Sequence, residues 1–135
     1  MYINNLITGT MTLGSGGSTP SGHSETRFTL QGGTVETHNI TGTLDRQWMI
    51  QNGYYDENNY EWTKDITKAD IGNTVTYIGD YAFNCSYTLT DVIIPNTVTQ
   101  LGFSAFGGAE NLITLTIPES VRKIDDDAFI GCASM

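Results

Sequence analysis

The sequence predicts a mainly β chain with short helical turns. It would form a solenoid of about three 23-residue coils, preceded by a hairpin and short-helix cap and by a flexible N-terminal tail. Three observations carry that expectation. Ile71-Gly-Asn-Thr-Val-Thr-Tyr-Ile-Gly-Asp-Tyr-Ala-Phe83 superposes without a gap on Ile94-Pro-Asn-Thr-Val-Thr-Gln-Leu-Gly-Phe-Ser-Ala-Phe106 and on Ile117-Pro-Glu-Ser-Val-Arg-Lys-Ile-Asp-Asp-Asp-Ala-Phe129, at a spacing of 23 each time. The same places in each period stay apolar. Hydrophobic residues make up 39% of the chain and charged ones only 16%, so the surface must rely on Thr, Asn, Ser and Gly, as in β-rich extracellular or virion proteins.

One coil is too small to bury its own apolar side chains and must stack on neighbours that present the same residues at the same height. The expected core is therefore columnar: Val75, Val98 and Val121; Ile78, Leu101 and Ile124; Ala82, Ala105 and Ala128; Phe83, Phe106 and Phe129; Leu89 and Leu112; Ile94 and Ile117. Val75–Ile78, Val98–Leu101 and Val121–Ile124 read as short strands, and Leu89–Ile94 and Leu112–Ile117 as the more strongly β-branched ones. Asp80-Tyr-Ala-Phe83 and its equivalents read as single helical turns, with Asp80, Ser104 and Asp126 or Asp127 placed to cap free amides. Pro95 and Pro118 stop the strands before them, and Gly72 in their place implies a looser first coil.

Four segments follow in order. Residues 66–135 hold the repeats, incomplete at the C-terminus because Met135 takes the slot of Leu89 and Leu112 in mid-repeat; a longer parent chain or docking on another subunit would cover that apolar end. Residues 26–65 hold the cap. Thr26–Leu30 and Val35–Ile40 flank Gln31-Gly-Gly-Thr34, which supplies the positive-φ residues of a hairpin turn. Thr43–Ile50 reads as a two-turn helix with Leu44 and Trp48 on one face, and Trp48, Tyr54, Tyr55, Tyr60 and Trp62 as the aromatic shield of the first coil. Residues 14–25 are a Gly/Ser linker. Residues 1–13 form an apolar attachment peptide in which Tyr2, Ile3, Leu6, Ile7, Met11 and Leu13 are the candidate partner-binding residues, by strand addition to a partner; a frayed tail is the alternative.

The pattern Ile-Pro-x-Ser/Thr-Val-x-x-Ile-x-x-x-Ala-Phe-x-x-Cys-x-x-Leu resembles the BspA-like leucine-rich repeats of bacterial surface proteins and phage structural proteins, over roughly Ile66 to Met135. The third copy, Ala128-Phe-Ile-Gly-Cys-Ala-Ser-Met135, keeps the family spacing with Cys132 in its core place; the second has Ala109 there, and the first has Cys85 one residue early. The resemblance implies a leucine-rich-repeat solenoid that binds proteins. The lead-in hairpin is similar to that of phage tail and fibre proteins carrying such repeats.

Catalysis would need a nucleophile near a base, or paired carboxylates at a cleft. His23 falls in the linker and His38 on a hairpin strand, and both read as exposed histidines without rigid partners. Cys85 and Cys132 read as small core hydrophobes two coils apart, too distant for a disulfide. Asp125-Asp126-Asp127 reads as a solvated turn, because adjacent carboxylates do not converge on one cation. The expectation is no enzyme, no cofactor and no metal. A net charge of −9 repels phosphate backbones and anionic lipid, and no apolar run is long enough to span a bilayer, so neither nucleic acid nor membrane insertion is expected. Met1–Leu13 lacks the charged opening and apolar stretch of a secretory signal. The partners expected are proteins: other virion subunits or a host surface receptor, with self-association into a homo-oligomer as an option. The leading expectation is a structural or receptor-binding component of a bacteriophage virion. The alternative is an extracellular adhesin on a bacterial cell surface.

Overall fold

The computed structural model describes Thr10–Leu13 and residues 22–135. Its elements, in chain order, are β1 (Thr10–Leu13), β2 (Thr26–Leu30), β3 (Val35–His38), β4 (Gly42–Leu44), α1 (Arg46–Gln51), β5 (Tyr55–Asp56), β6 (Glu61–Trp62), β7 (Ile66–Asp70), β8 (Val75–Ile78), β9 (Asp91–Ile93), β10 (Gln100–Leu101), β11 (Thr114–Ile117) and β12 (Lys123–Ile124). A six-stranded sheet runs β1-β11-β9-β7-β2-β3, a four-stranded sheet runs β12-β10-β8-β4, and β5 and β6 form a small hairpin.

The sequence period is also the hydrogen-bond register. β7, β9 and β11 pair in parallel with Lys68 opposite Asp91 and Asp91 opposite Thr114, while β8, β10 and β12 do the same with Tyr77, Gln100 and Lys123, a shift of 23 residues at every step. In-register parallel pairing sets like beside like, so each apolar position becomes a column. The Phe83 and Phe106 rings stack at 5.4 Å and 7°, and Phe106 and Phe129 at 5.5 Å and 2°. Of the expected core residues all but Ile124 are buried, and Ile124 packs half-buried against the rest. Threonines reinforce the columns by donating to the preceding period: Thr97 Oγ1 to the Val75 carbonyl at 2.7 Å and Thr90 Oγ1 to the Thr67 carbonyl at 3.1 Å.

The segments that begin at Asp80, Phe103 and Asp126 are not helical turns. Tyr81, Ser104 and Asp127 have φ of 58°, 49° and 58°, a left-handed backbone that breaks a helix at its second residue. The chain instead makes successive tight turns, such as Ala82 N–H to the Gly79 carbonyl and Asn84 N–H to the Tyr81 carbonyl. The intervening amides are then turned toward the next period: Phe83 N–H donates to the Ala105 carbonyl, Phe106 to Ala128, Cys85 to Gly107 and Gly108 to Ile130. A bonded third side results. Asp80 caps across periods too, its carboxylate accepting from Phe103 N–H at 2.8 Å.

The cap closes one edge of each sheet. β2 pairs antiparallel with β7 and with β3, and Gly32 and Gly33, both at φ 97°, make the hairpin turn. β4 pairs in parallel with β8. Part of the segment expected to be helical is thus a strand: Leu44 stands opposite Ile78, and α1 starts only after Asp45, whose carboxylate accepts from Trp48 N–H at 3.0 Å. The open edge of β8 offers Gly42–Leu44 ladder bonds that a longer helix would forfeit. Gly72 is likewise not a sign of looseness. A Cβ there would lie 2.1 Å from the Ser24 carbonyl oxygen, and its N–H donates at 2.9 Å to the buried Thr26 hydroxyl, so the entry to β2 requires a residue with neither side chain nor proline ring.

Candidate functional site

Both histidines have partners. His23 Nε2 meets the Asp70 carboxylate at 3.0 Å. The His38 ring packs against Phe28, Trp48 and Tyr54, and its Nε2 bonds the Tyr54 hydroxyl. That hydroxyl donates to Glu36 at 2.6 Å, and Lys64 reaches the same carboxylate at 3.0 and 3.1 Å. The hydrogen bond from Tyr54, then those from Lys64, hold the Glu36 carboxyl below its ordinary value. Burial lowers His38 and raises Tyr54 well above its ordinary value. The group ties β3 to the loop after α1. Tyr54 is fully buried, so the hydroxyl holds the fold together and is closed to a substrate.

The cysteines are free thiols with different surroundings. Cys132 is buried, its sulfur 3.1 Å from the Phe106 carbonyl, and burial pushes its thiol up to about 11. Cys85 is only half-buried and is no core residue; it stands where the next two periods have Gly108 and Gly131, at φ 55° against their 71° and 74°. The buried Ser86 fills the place that Cys132 holds. Asp125 accepts from Gln100 at 3.1 Å and pairs with Lys123 at 3.3 Å. Among the described residues no three acidic, histidine or cysteine side chains converge in a way that would hold a metal ion, and no helix is long and apolar enough to cross a membrane.

A recess of about 400 Å³ opens where the β5–β6 hairpin meets the first period, lined by Tyr55, Tyr60, Glu61, Trp62, Asp65, Asn84, Cys85, Tyr87 and Thr88. Its floor is rigid. Trp62 stacks on Phe83 at 6.5 Å and 11°, extending the phenylalanine column by one ring, and its indole N–H donates to the Asn84 carbonyl at 3.0 Å. Arg46 lies 3.6 Å over the Tyr55 ring and 5.3 Å from Trp62, and donates to the Tyr81 and Asn84 carbonyls. The rim is open: Tyr60 is 83% exposed and Tyr87 54% exposed. Tyr60, expected to shield the first coil, therefore faces solvent, and Trp62 does the shielding. One period back from Phe83 is residue 60, so the register alone points to the wrong aromatic. The two-strand hairpin ahead of the repeats shifts the stacking ring by two residues. Exposed tyrosines over a fixed apolar floor, beside Glu61 and Asp65, suit an aromatic or cationic side chain of another protein.

Of the expected partner-binding residues, Met11 and Leu13 lie in β1, which pairs in parallel with the chain's own β11; Tyr2, Ile3, Leu6 and Ile7 lie outside the described residues. A family model described as a BspA type leucine rich repeat region, in six copies, matches residues 54–135, beginning ahead of Ile66 at the buried Tyr54. Neither the curated proteins nor the solved structures yield a match.

Proposed function

Since the chain belongs to the BspA-type leucine-rich-repeat family, whose repeats are generally protein-binding modules without enzymatic activity, we propose that it is a non-catalytic recognition protein. Its stacked periods would act as a short solenoid that presents the Tyr60–Tyr87 recess to a protein partner. The carrying observation is the contrast in that recess between a floor locked by Trp62, Phe83 and Arg46 and a rim of exposed tyrosines. Rigid support lowers the ordering cost of binding, and tyrosine supplies large contact area with few torsions. The net charge of −9, with Glu61 and Asp65 at the rim, favours a basic patch on the partner.

The place of display we propose is a bacteriophage virion. The resemblance, read from the sequence, of the repeat pattern and of the lead-in hairpin to those of phage structural proteins motivates it. An adhesin on a bacterial surface is the second reading, and the family match fits it. Two experiments test the proposal. Gold-labelled antibody against the chain should decorate phage particles; label confined to bacterial envelopes would transfer the display to the adhesin reading. Binding of the fluorescently tagged chain to a panel of bacterial surfaces and matrix proteins should be abolished by protease treatment of the surface. It should also fall at least tenfold in the double variant Tyr60→Ala, Tyr87→Ala. Binding that survives both would refute the recess as the contact.

A further inference from the structure

We propose that the outer edge of β11 is a homotypic strand-addition site, at which Thr10–Leu13 of a second copy of this chain takes the seat that β1 holds within one copy.

The seat and the strand are matched residue by residue. β1 reads Thr-Met-Thr-Leu and β11 reads Thr-Leu-Thr-Ile, and the pairing sets Thr10 against Thr114, Met11 against Leu115, Thr12 against Thr116 and Leu13 against Ile117. β1 also runs parallel to β11, as β11 does to β9 and β9 to β7. It therefore occupies the position that the repeat register reserves for a strand one period after β11. A segment from the opposite end of the sequence imitates the next repeat in alternation and direction. Apolar residues of the last period on this side are covered: Leu115, Ile117, Phe129 and Met135 are all at most 1% exposed.

The link between strand and seat is nine residues long. After Leu13 the chain is anchored again at His23, whose ring bonds Asp70 and whose carbonyl accepts from Asn73 N–H. β1 and β7 are three strand positions apart, about 14 Å. The nine residues 14–22 can reach roughly 35 Å. Closure within one copy is thus easy, at an effective concentration in the millimolar range that such a tether provides. Every contact in the match is equally available from a second copy, and no residue of the seat belongs to the tether. Copies held close together, as in an array, exchange strands by head-to-tail addition that propagates or closes into a ring.

Deleting Ser15–Gly22 leaves a tether of roughly 7 Å, too short for closure within one copy but harmless to exchange. The shortened chain should form dimers and larger species in a concentration-dependent way by size exclusion with light scattering, and adding Met11→Asp should restore the monomer. A shortened chain that stays monomeric with an unchanged melting temperature, or that associates regardless of Met11→Asp, overturns the proposal. A second test needs no deletion. A synthetic peptide of residues 2–13 should bind the full-length Met11→Asp chain, whose own strand is weakened, at least tenfold more tightly than it binds the unaltered full-length chain. Equal binding to the two, or none, overturns it as well.

Discussion

The two halves of the molecule bury their aromatic rings by different means. In the repeats, Phe83, Phe106 and Phe129 stack nearly parallel because a 23-residue register delivers the same ring to the same height, and neighbours on three sides repeat with it. In the cap, Phe28, His38, Trp48 and Tyr54 meet mostly edge-on, and a single network through Glu36 and Lys64 fixes them. The periodic half repeats one solution and spreads its stability over equivalent contacts. The cap depends on contacts that occur once. Damage should therefore be graded by position in the stack but concentrated at a few points in the cap, and the network of the cap should respond to acid.

Phe106→Ala tests the first part of that contrast and should have the largest effect. It removes the ring stacked on both sides, at a cost of about 4 kcal/mol in chemical denaturation. Phe129→Ala, which among the described residues loses one stacked phenylalanine where Phe106→Ala loses two, should cost less; equal costs would mean that the rings do not act as a column.

Gly72→Pro installs the residue that the next two periods carry at that place, yet it should cost about 3 kcal/mol through overpacking against Ser24 and loss of the donor to Thr26. Limited proteolysis should then cut first in the β2–β3 hairpin. A neutral outcome would separate the cap from the stack.

A smaller effect is expected from pH. His38 in the folded chain lies below its ordinary 6.5, so the unfolded chain takes up the proton first and stability falls as pH drops through about 6.5. Glu36 lies below its ordinary 4.5, so its contribution is complete above that value and is lost as pH falls further. Thermal melts from pH 8 down to about 2.5 should show both steps, and His38→Gln should remove the upper one. Near the bottom of the scale, Cys85→Gly should stabilise by about 1 kcal/mol by relieving a left-handed non-glycine residue. Tyr60→Ala should change stability by less than about 0.5 kcal/mol while weakening partner binding.

Periodicity accounts for what was legible in the sequence. The columns, the parallel strands and the family resemblance all follow from residues that recur, and the hairpin follows from Gly32 and Gly33. What was hidden depends on long-range neighbours. Asp80-Tyr-Ala-Phe83 is compatible with a helical turn by local preference; only carbonyls one period away draw it into another shape. Leu44 and Trp48 carry helical spacing, but the free edge of β8 claims Leu44. Gly72 has no local signature for the crossing strand that requires it. The histidines read as exposed because their partners, Asp70 and Tyr54, are 47 and 16 residues distant. The recess was half visible: its aromatic cluster was plain, but which ring faces inward was decided by the β5–β6 hairpin, which has no counterpart in the repeats.

Each period is bonded to the next on three sides in one register, the turn side included, and native-state hydrogen exchange resolved by residue tests this most directly. The turn amides of Phe83, Cys85, Phe106 and Gly108, each donating across periods, should exchange as slowly as the strand amides of β9 and β11. Turn amides that exchange like those of an exposed loop, while the strands stay protected, would contradict it.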